Sequence, residues 1–172
     1  MKDKRLRKTA GAVLAVILVF SMTACTRNEA DKDTVSPSEQ TAGYESVEGT
    51  QIKMTTENTE VVITLNASKA AADLVEMLPL ELTLIERNSF AKGMTLPEHL
   101  SSAEDVTREY EIGDFGYWNA GPDLAIFYDD IYEQTIVEVI PLGHADSGAE
   151  MLAGETGTVR LALVDRAGGS QG

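Results

Sequence analysis

A chain of 172 residues with one cysteine has room for a single domain plus appendages and forms no internal disulfide. Its formal net charge of −14 argues against nucleic acid as a partner and against electrostatic attraction to an anionic membrane surface. Hydrophobic residues make up 43 % of the chain, which supports a core, and the acidity is read first as a solubility feature.

The N-terminus carries an address. "MKDKRLRK" holds five basic residues against one acid, and an uncharged, mostly apolar run follows from Thr9 to Ala24. A charged head, a short apolar stretch and small residues at its end form a secretory signal. The apolar stretch falls short of the roughly 20 residues a membrane-spanning helix needs; an uncleaved anchor is the alternative. Cys25 comes directly after Thr23-Ala24, and "SMTAC" resembles the lipobox of bacterial lipoproteins, whose cysteine takes a diacylglyceryl group and becomes the mature N-terminus. Met22 stands where that motif prefers leucine. Two acyl chains anchor a protein stably where one does not. Residues 1–24 are therefore expected to be removed, with Cys25 as the lipidation site and the contact with the membrane. Losing five positive charges and one negative takes the net charge from −14 to −18. Residues 25–49 are polar and acidic, too poor in apolar groups to offset their ordering entropy, and read as a tether.

The folded part is expected over residues 50–166. "QIKMTT" and "EVVITLN" flank a polar turn and predict a β-hairpin. "NASKAAADLVEMLP" changes period: Asn66 or Ser68 can cap a helix, Ala71, Leu74, Val75 and Leu78 make one face, and Pro79 stops it. "LELTLIER" alternates as a strand with Leu80, Leu82 and Leu84 together. Residues 88–105 look irregular, and alternation returns in "VTREYEIG", Val106–Gly113. "DLAIFYDD" and "TIVEVIPLG" predict further strands, "SGAEMLAGE" a turn or two of helix, and "GTVRLALVD" a closing strand with Val159, Leu161 and Leu163 on one side. Residues 167–172 read as a disordered tail. So many short strands favour a mainly β, closed antiparallel barrel with helices at its ends, since closure removes exposed edges.

Two stretches carry a family resemblance. "WNAGPDLAIFY" followed by "VEVIPLGHADSGAEML" is similar in order and spacing to the second half of cyclophilins, and Gln51–Asp165 resembles the bacterial cyclophilin-like domain family. The resemblance implies an eight-stranded antiparallel cyclophilin-like barrel with two flanking helices. It also implies a groove in which an arginine and aromatic side chains hold a proline while the peptide bond twists. "ERNSFAKGM" resembles the strand that delivers that arginine and a groove aromatic, here Arg87 and Phe90, and Phe127 stands where a second groove aromatic is expected. Arg87, Phe90, Trp118 and Phe127 are the candidate ligand-binding residues, with Arg87 the sole candidate for catalysis. The departures are Ala125, where active cyclophilins carry a glutamine, and Tyr132 and Gln134, where they carry a tryptophan and a histidine.

Other chemistries find little support. His99 and His144 stand apart, without ligand spacing, and read as satisfied or exposed. Asp129, Asp130 and Glu133 can hold a hard cation, but a solvated turn is the simpler reading. No metal, cofactor or nucleic acid is expected, and the chain is expected to be a monomer. The sequence supports a lipid-anchored, extracytoplasmic domain binding a peptide or small ligand. A weak prolyl isomerase and a non-catalytic adaptor lipoprotein are the alternatives.

Overall fold

The computed structural model describes residues 44–164. The expected signal, Cys25, the tether as far as residue 43 and the C-terminal tail lie outside the described residues. Eight strands alternate with two helices: β1 (Gln51–Thr55), β2 (Glu60–Leu65), α1 (Lys69–Met77), β3 (Leu80–Arg87), β4 (Ala91–Thr95), β5 (Asp114–Trp118), β6 (Asp123–Phe127), β7 (Ile140–His144), a 3₁₀ helix (Ala149–Gly154) and β8 (Gly157–Leu163). Every pairing is antiparallel, and the order β1-β2-β7-β5-β6-β4-β3-β8 returns to β1 as a closed barrel.

Period-two patterning fills the interior. Ile52 and Met54 of β1, Val61, Ile63 and Leu65 of β2, Leu124 and Ile126 of β6, and Val159 and Leu161 of β8 all point into one buried core. Leu163 does not continue that row: it ends β8 and is 47 % exposed. Helix α1 begins at Ser68, whose hydroxyl accepts the Ala71 amide hydrogen, so Ser68 rather than Asn66 is the cap. The Glu104 carboxylate accepts the amides of Lys69 and Ala70 at the same end. The helix buries Ala70, Ala71 and Leu74 in the core, with Val75 and Leu78 packed at its edge.

Three expectations are corrected. Val106–Gly113 is not a strand: only Thr107 forms an isolated bridge, to Val139, and that single bridge is also all that precedes Ile140 in "TIVEVIPLG". Alternation there reflects a strap lying across the barrel's outer face, with one side on apolar residues. Residues 91–95, read as irregular, form β4, in which Gly93 and a buried lysine hide the apolar pattern. Residues 114–118, left without an element, form β5. In addition, residues 44–49, read as the end of the tether, lie against the domain: Tyr44 donates to the Ala67 carbonyl and the Gly49 amide to Leu65.

One seam of the barrel is thin. β2 meets β7 through two residue pairs, Thr64↔His144 and Leu65↔Gly143. A Cβ on Gly143 would lie 2.3 Å from the Thr64 carbonyl oxygen, so glycine is what allows the strands to close. Asn66 extends the seam by donating to the Pro141 carbonyl at 2.7 Å.

Next to the 3₁₀ helix sits Lys92, 2 % exposed. Its ammonium donates to Glu86 Oε2 at 2.6 Å and to the carbonyls of Glu155 at 2.9 Å and Ala153 at 3.2 Å, using all three hydrogens. Tyr128 donates to Glu86 Oε1 at 2.8 Å. Burial and that hydrogen bond push the Tyr128 phenol up to about 12.

Candidate functional site

A second apolar cluster lies on the outside of the sheet: Phe90, Ala91, Ala125, Phe127 and Val139, with Tyr110 against it. Strand alternation explains it. Ala125 and Phe127 face outward, while Leu124, Ile126 and Tyr128 belong to the interior. The rings of Phe90, Tyr110 and Phe127 stand 4.6–5.5 Å apart by centroid, and Tyr132 meets Phe90 edge-on at 5.2 Å.

Register sets the shape beside that cluster. Gly93 of β4 pairs with Ala125 of β6, which pairs with Gly116 of β5, a row of three small residues across the sheet. Larger groups settle on the two glycines. A Cβ on Gly93 would come 2.7 Å from Arg87 Nε, and one on Gly116 would come 2.2 Å from a Val139 methyl. Arg87 and Val139 thus lie on the ends of the row, and Ala125 remains as the floor between them. The resulting cavity holds about 410 Å³ of empty space, its mouth included, and Arg87, Phe90, Trp118 and Phe127 all line it together with Ala125. The position where glutamine is missing is therefore the cavity floor.

The turn that presents Arg87 and Phe90 is held from behind. Asn88 and Ser89 both have positive φ, 52° and 60°, which costs a serine more than an asparagine. The Glu86 carboxylate accepts the Ser89 amide hydrogen at 3.1 Å and fixes the turn. Burial pushes the Glu86 carboxyl up, but hydrogen bonds from Lys92 and Tyr128 outweigh it and hold the group below its ordinary value.

At the polar end, Arg87 Nη2 donates to Asp123 Oδ2 at a long 3.4 Å, and its guanidinium lies 5.8 Å from the Trp118 ring centre. Thr95 donates to the other oxygen of Asp123. Arg87 Nε and Trp118 Nε1 are buried and have no hydrogen-bond partner among the described residues. An orphaned buried donor costs about 1–3 kcal/mol, and both lie on side chains that line one cavity.

The roof comes from residues that sequence reasoning missed: Thr135, Ile136, Val137 and Val139. They belong to the segment after β6, which is tied to the strap. The Thr135 amide donates to the Arg108 carbonyl at 2.8 Å, and the Tyr132 amide donates to the Tyr110 hydroxyl at 3.1 Å. Their alternation in "TIVEVIPLG" reads as a strand, and nothing in it points to a place over the cavity. A second cavity beyond Phe127 and Val139 is lined by Asp114, Gly116 and Pro141. His144 Nδ1 pairs with Asp114 at 2.8 Å, and His99 Nδ1 pairs with the Tyr117 hydroxyl at 3.0 Å. Asp129, Asp130 and Glu133 are exposed, and among the described residues no three ligating groups gather to hold a metal.

The model of the cyclophilin-like family matches residues 54–164. The chain belongs to the cyclophilin-like family. Among solved structures, this cyclophilin-like chain is similar to the hypothetical protein AF2241 from Archaeoglobus fulgidus, at 19 % identity and a TM-score of 0.59, covering 71 % of this chain and 99 % of that one. It is also similar to McbB, a structure determined in complex with tryptophan, at 15 % identity and a TM-score of 0.56. That match covers 69 % of this chain and 46 % of McbB. At these identities the likeness is one of fold. No curated protein matches the chain. The walls of the cyclophilin-like cavity are mostly apolar, and the one charged group among them, the Arg87 guanidinium, is paired with the Asp123 carboxylate.

Proposed function

We propose that this chain is a lipid-anchored, extracytoplasmic cyclophilin-like domain that binds a peptide or small ligand in the cavity over Ala125. The observation that carries the reading is the convergence of Arg87, Phe90, Trp118 and Phe127 on the walls of one apolar cavity. The anchoring part rests on "SMTAC" and the basic-apolar stretch before it. Trp118 is the chain's one tryptophan, so its fluorescence gives a direct readout of occupancy. Full chain in non-ionic detergent is screened by thermal shift and by Trp118 emission. A ligand found this way should lose affinity in Phe127→Ala; unchanged affinity would retire the cavity. Fatty-acid labelling should vanish in Cys25→Ser, and labelling that survives would end the lipoprotein reading.

A weak prolyl isomerase is the second reading, favoured by Arg87 lying beside Phe90 and Phe127. The barrier to rotation is about 18–20 kcal/mol, so a cation facing the carbonyl over an apolar floor does useful electrostatic work. Against it stand Ala125 in place of glutamine and a guanidinium that shares its charge with Asp123. Proline-peptide turnover that disappears in Arg87→Ala would establish the isomerase.

A further inference from the structure

Charge is unevenly spread over this domain. Residues 104–114 and 129–138 are the strap and the roof segment that enclose the outer cluster. Leaving out Glu104, which caps α1, and Asp114, which pairs with His144, they hold seven acidic residues and one base, Arg108, a net of −6 where the whole chain is −14. The same two segments carry Val106, Ile131, Tyr132 and Ile136, four of the seven large apolar side chains exposed among the described residues. Ile136, 77 % exposed, lines the cavity while presenting most of its surface to solvent. The segments act as one face because hydrogen bonds join Thr135 to Arg108, Tyr132 to Tyr110 and Thr107 to Val139.

Isolated apolar groups on a surface are ordinary, and acids on an acidic protein are ordinary too. Their concentration on the one face that opens into an apolar cavity sets the class of molecule that fits. An anionic or carboxylate-rich ligand meets this rim at a cost, and a purely apolar one leaves the carboxylates without partners. A segment that alternates bulky apolar and basic residues satisfies both: an apolar side chain enters over Ala125, and lysine or arginine side chains meet Asp129, Asp130 and Glu133.

Resting on the ligand-binding reading above, we infer that the cavity and its acidic rim dock a basic, apolar segment of a partner polypeptide. Rim charges act over several ångströms and mainly raise the rate of encounter, so the selectivity is screened by salt.

Three capped heptapeptides with a common Leu-Phe-Leu centre and flanks of lysine, serine or glutamate decide the matter. Each is titrated into full chain in non-ionic detergent, with Trp118 emission as the signal. At low salt the lysine peptide should bind about tenfold more tightly than the serine peptide, and the glutamate peptide more weakly still. The lysine advantage should shrink toward unity at about 0.5 M salt, where screening extends only a few ångströms. Combined Asp129→Asn, Asp130→Asn and Glu133→Gln should bring the lysine peptide down to the serine value and leave the serine value unchanged. Those side chains are exposed, so the fold tolerates the change. Equal binding of all three peptides would overturn the basic-partner inference and leave the cavity reading standing. Binding of none of them, with no Trp118 response, would overturn both.

Discussion

Replacing Glu86 with alanine tests whether Lys92 is held as a charge or merely packed. The Lys92 side chain is 2 % exposed, and among the described residues Glu86 is its only anionic partner within bonding distance. Removing one member of a fully buried pair costs about 3–5 kcal/mol. Glu86 is 44 % exposed, so water partly replaces it, and two carbonyls remain on the ammonium. Glu86→Ala should therefore cost about 2–3 kcal/mol, a figure that includes the orphaned Tyr128 hydroxyl and Ser89 amide. Lys92→Met keeps the apolar stem and leaves two carbonyls and an exposed carboxylate, for a cost of about 1–2 kcal/mol. In the Lys92→Met background no buried ammonium remains for Glu86 to neutralise, so adding Glu86→Ala should cost less than about 1 kcal/mol. Urea unfolding of the chain from Thr26 onward, with all four members of the cycle, gives the coupling directly. Additivity within about 0.5 kcal/mol would refute the buried-charge argument.

Glu86 and Asp73 also set an acid limit. Burial raises the Asp73 carboxyl, but hydrogen bonds from Lys69 and Ser101 outweigh it, so both groups lie below their ordinary values. Their stabilisation is present above the unfolded carboxylate range near pH 4 and is lost as pH falls through the lower folded values; the urea midpoint should drop there, and less steeply in Glu86→Gln. Gly143→Ala should be among the most damaging single substitutions, since its Cβ meets the backbone of Thr64 and Leu65, and thermal melting should fall by well over 5 °C or expression should fail. Gly93→Ala should act differently, because the atom in the way belongs to the flexible Arg87 side chain. Its stability should stay within about 0.5 kcal/mol of the parent, while Trp118 emission shifts as the guanidinium leaves the indole. Tyr117→Phe removes the hydroxyl that accepts the Leu100 amide in the core and should cost about 1–2 kcal/mol by the same urea assay.

Much of the barrel was legible because its strands alternate cleanly. "EVVITL" buries every second residue, "GTVRLAL" buries Val159 and Leu161, and the cap at Ser68 stands where helical period begins. β4 was illegible for a physical reason: "AKGMT" is buried along four of its five residues, yet one of the four is a lysine and another is a glycine. Glu86 lies across the hairpin from Lys92, but nothing local reveals the two carbonyls, of Ala153 and Glu155, that cover its ammonium from the far end of the domain. In Val106–Gly113 the error ran the other way, since a strap packed on one side alternates as a strand does. The resemblance to cyclophilins pointed to Arg87, Phe90, Trp118 and Phe127, and the structure brings all four to one cavity. It gave no hint of the roof at Thr135–Val139, whose place depends on hydrogen bonds to a strap more than twenty residues earlier.

The row Gly93–Ala125–Gly116 has a consequence for how this family can change. The residues on either side of Ala125 along β6, Leu124 and Ile126, are locked into the interior, whereas Ala125 faces the outer cluster and the cavity. The interior packing and the cavity floor thus lie on opposite faces of the same strand. A larger side chain at 125 would reshape the cavity while Leu124 and Ile126 keep their places in the barrel interior.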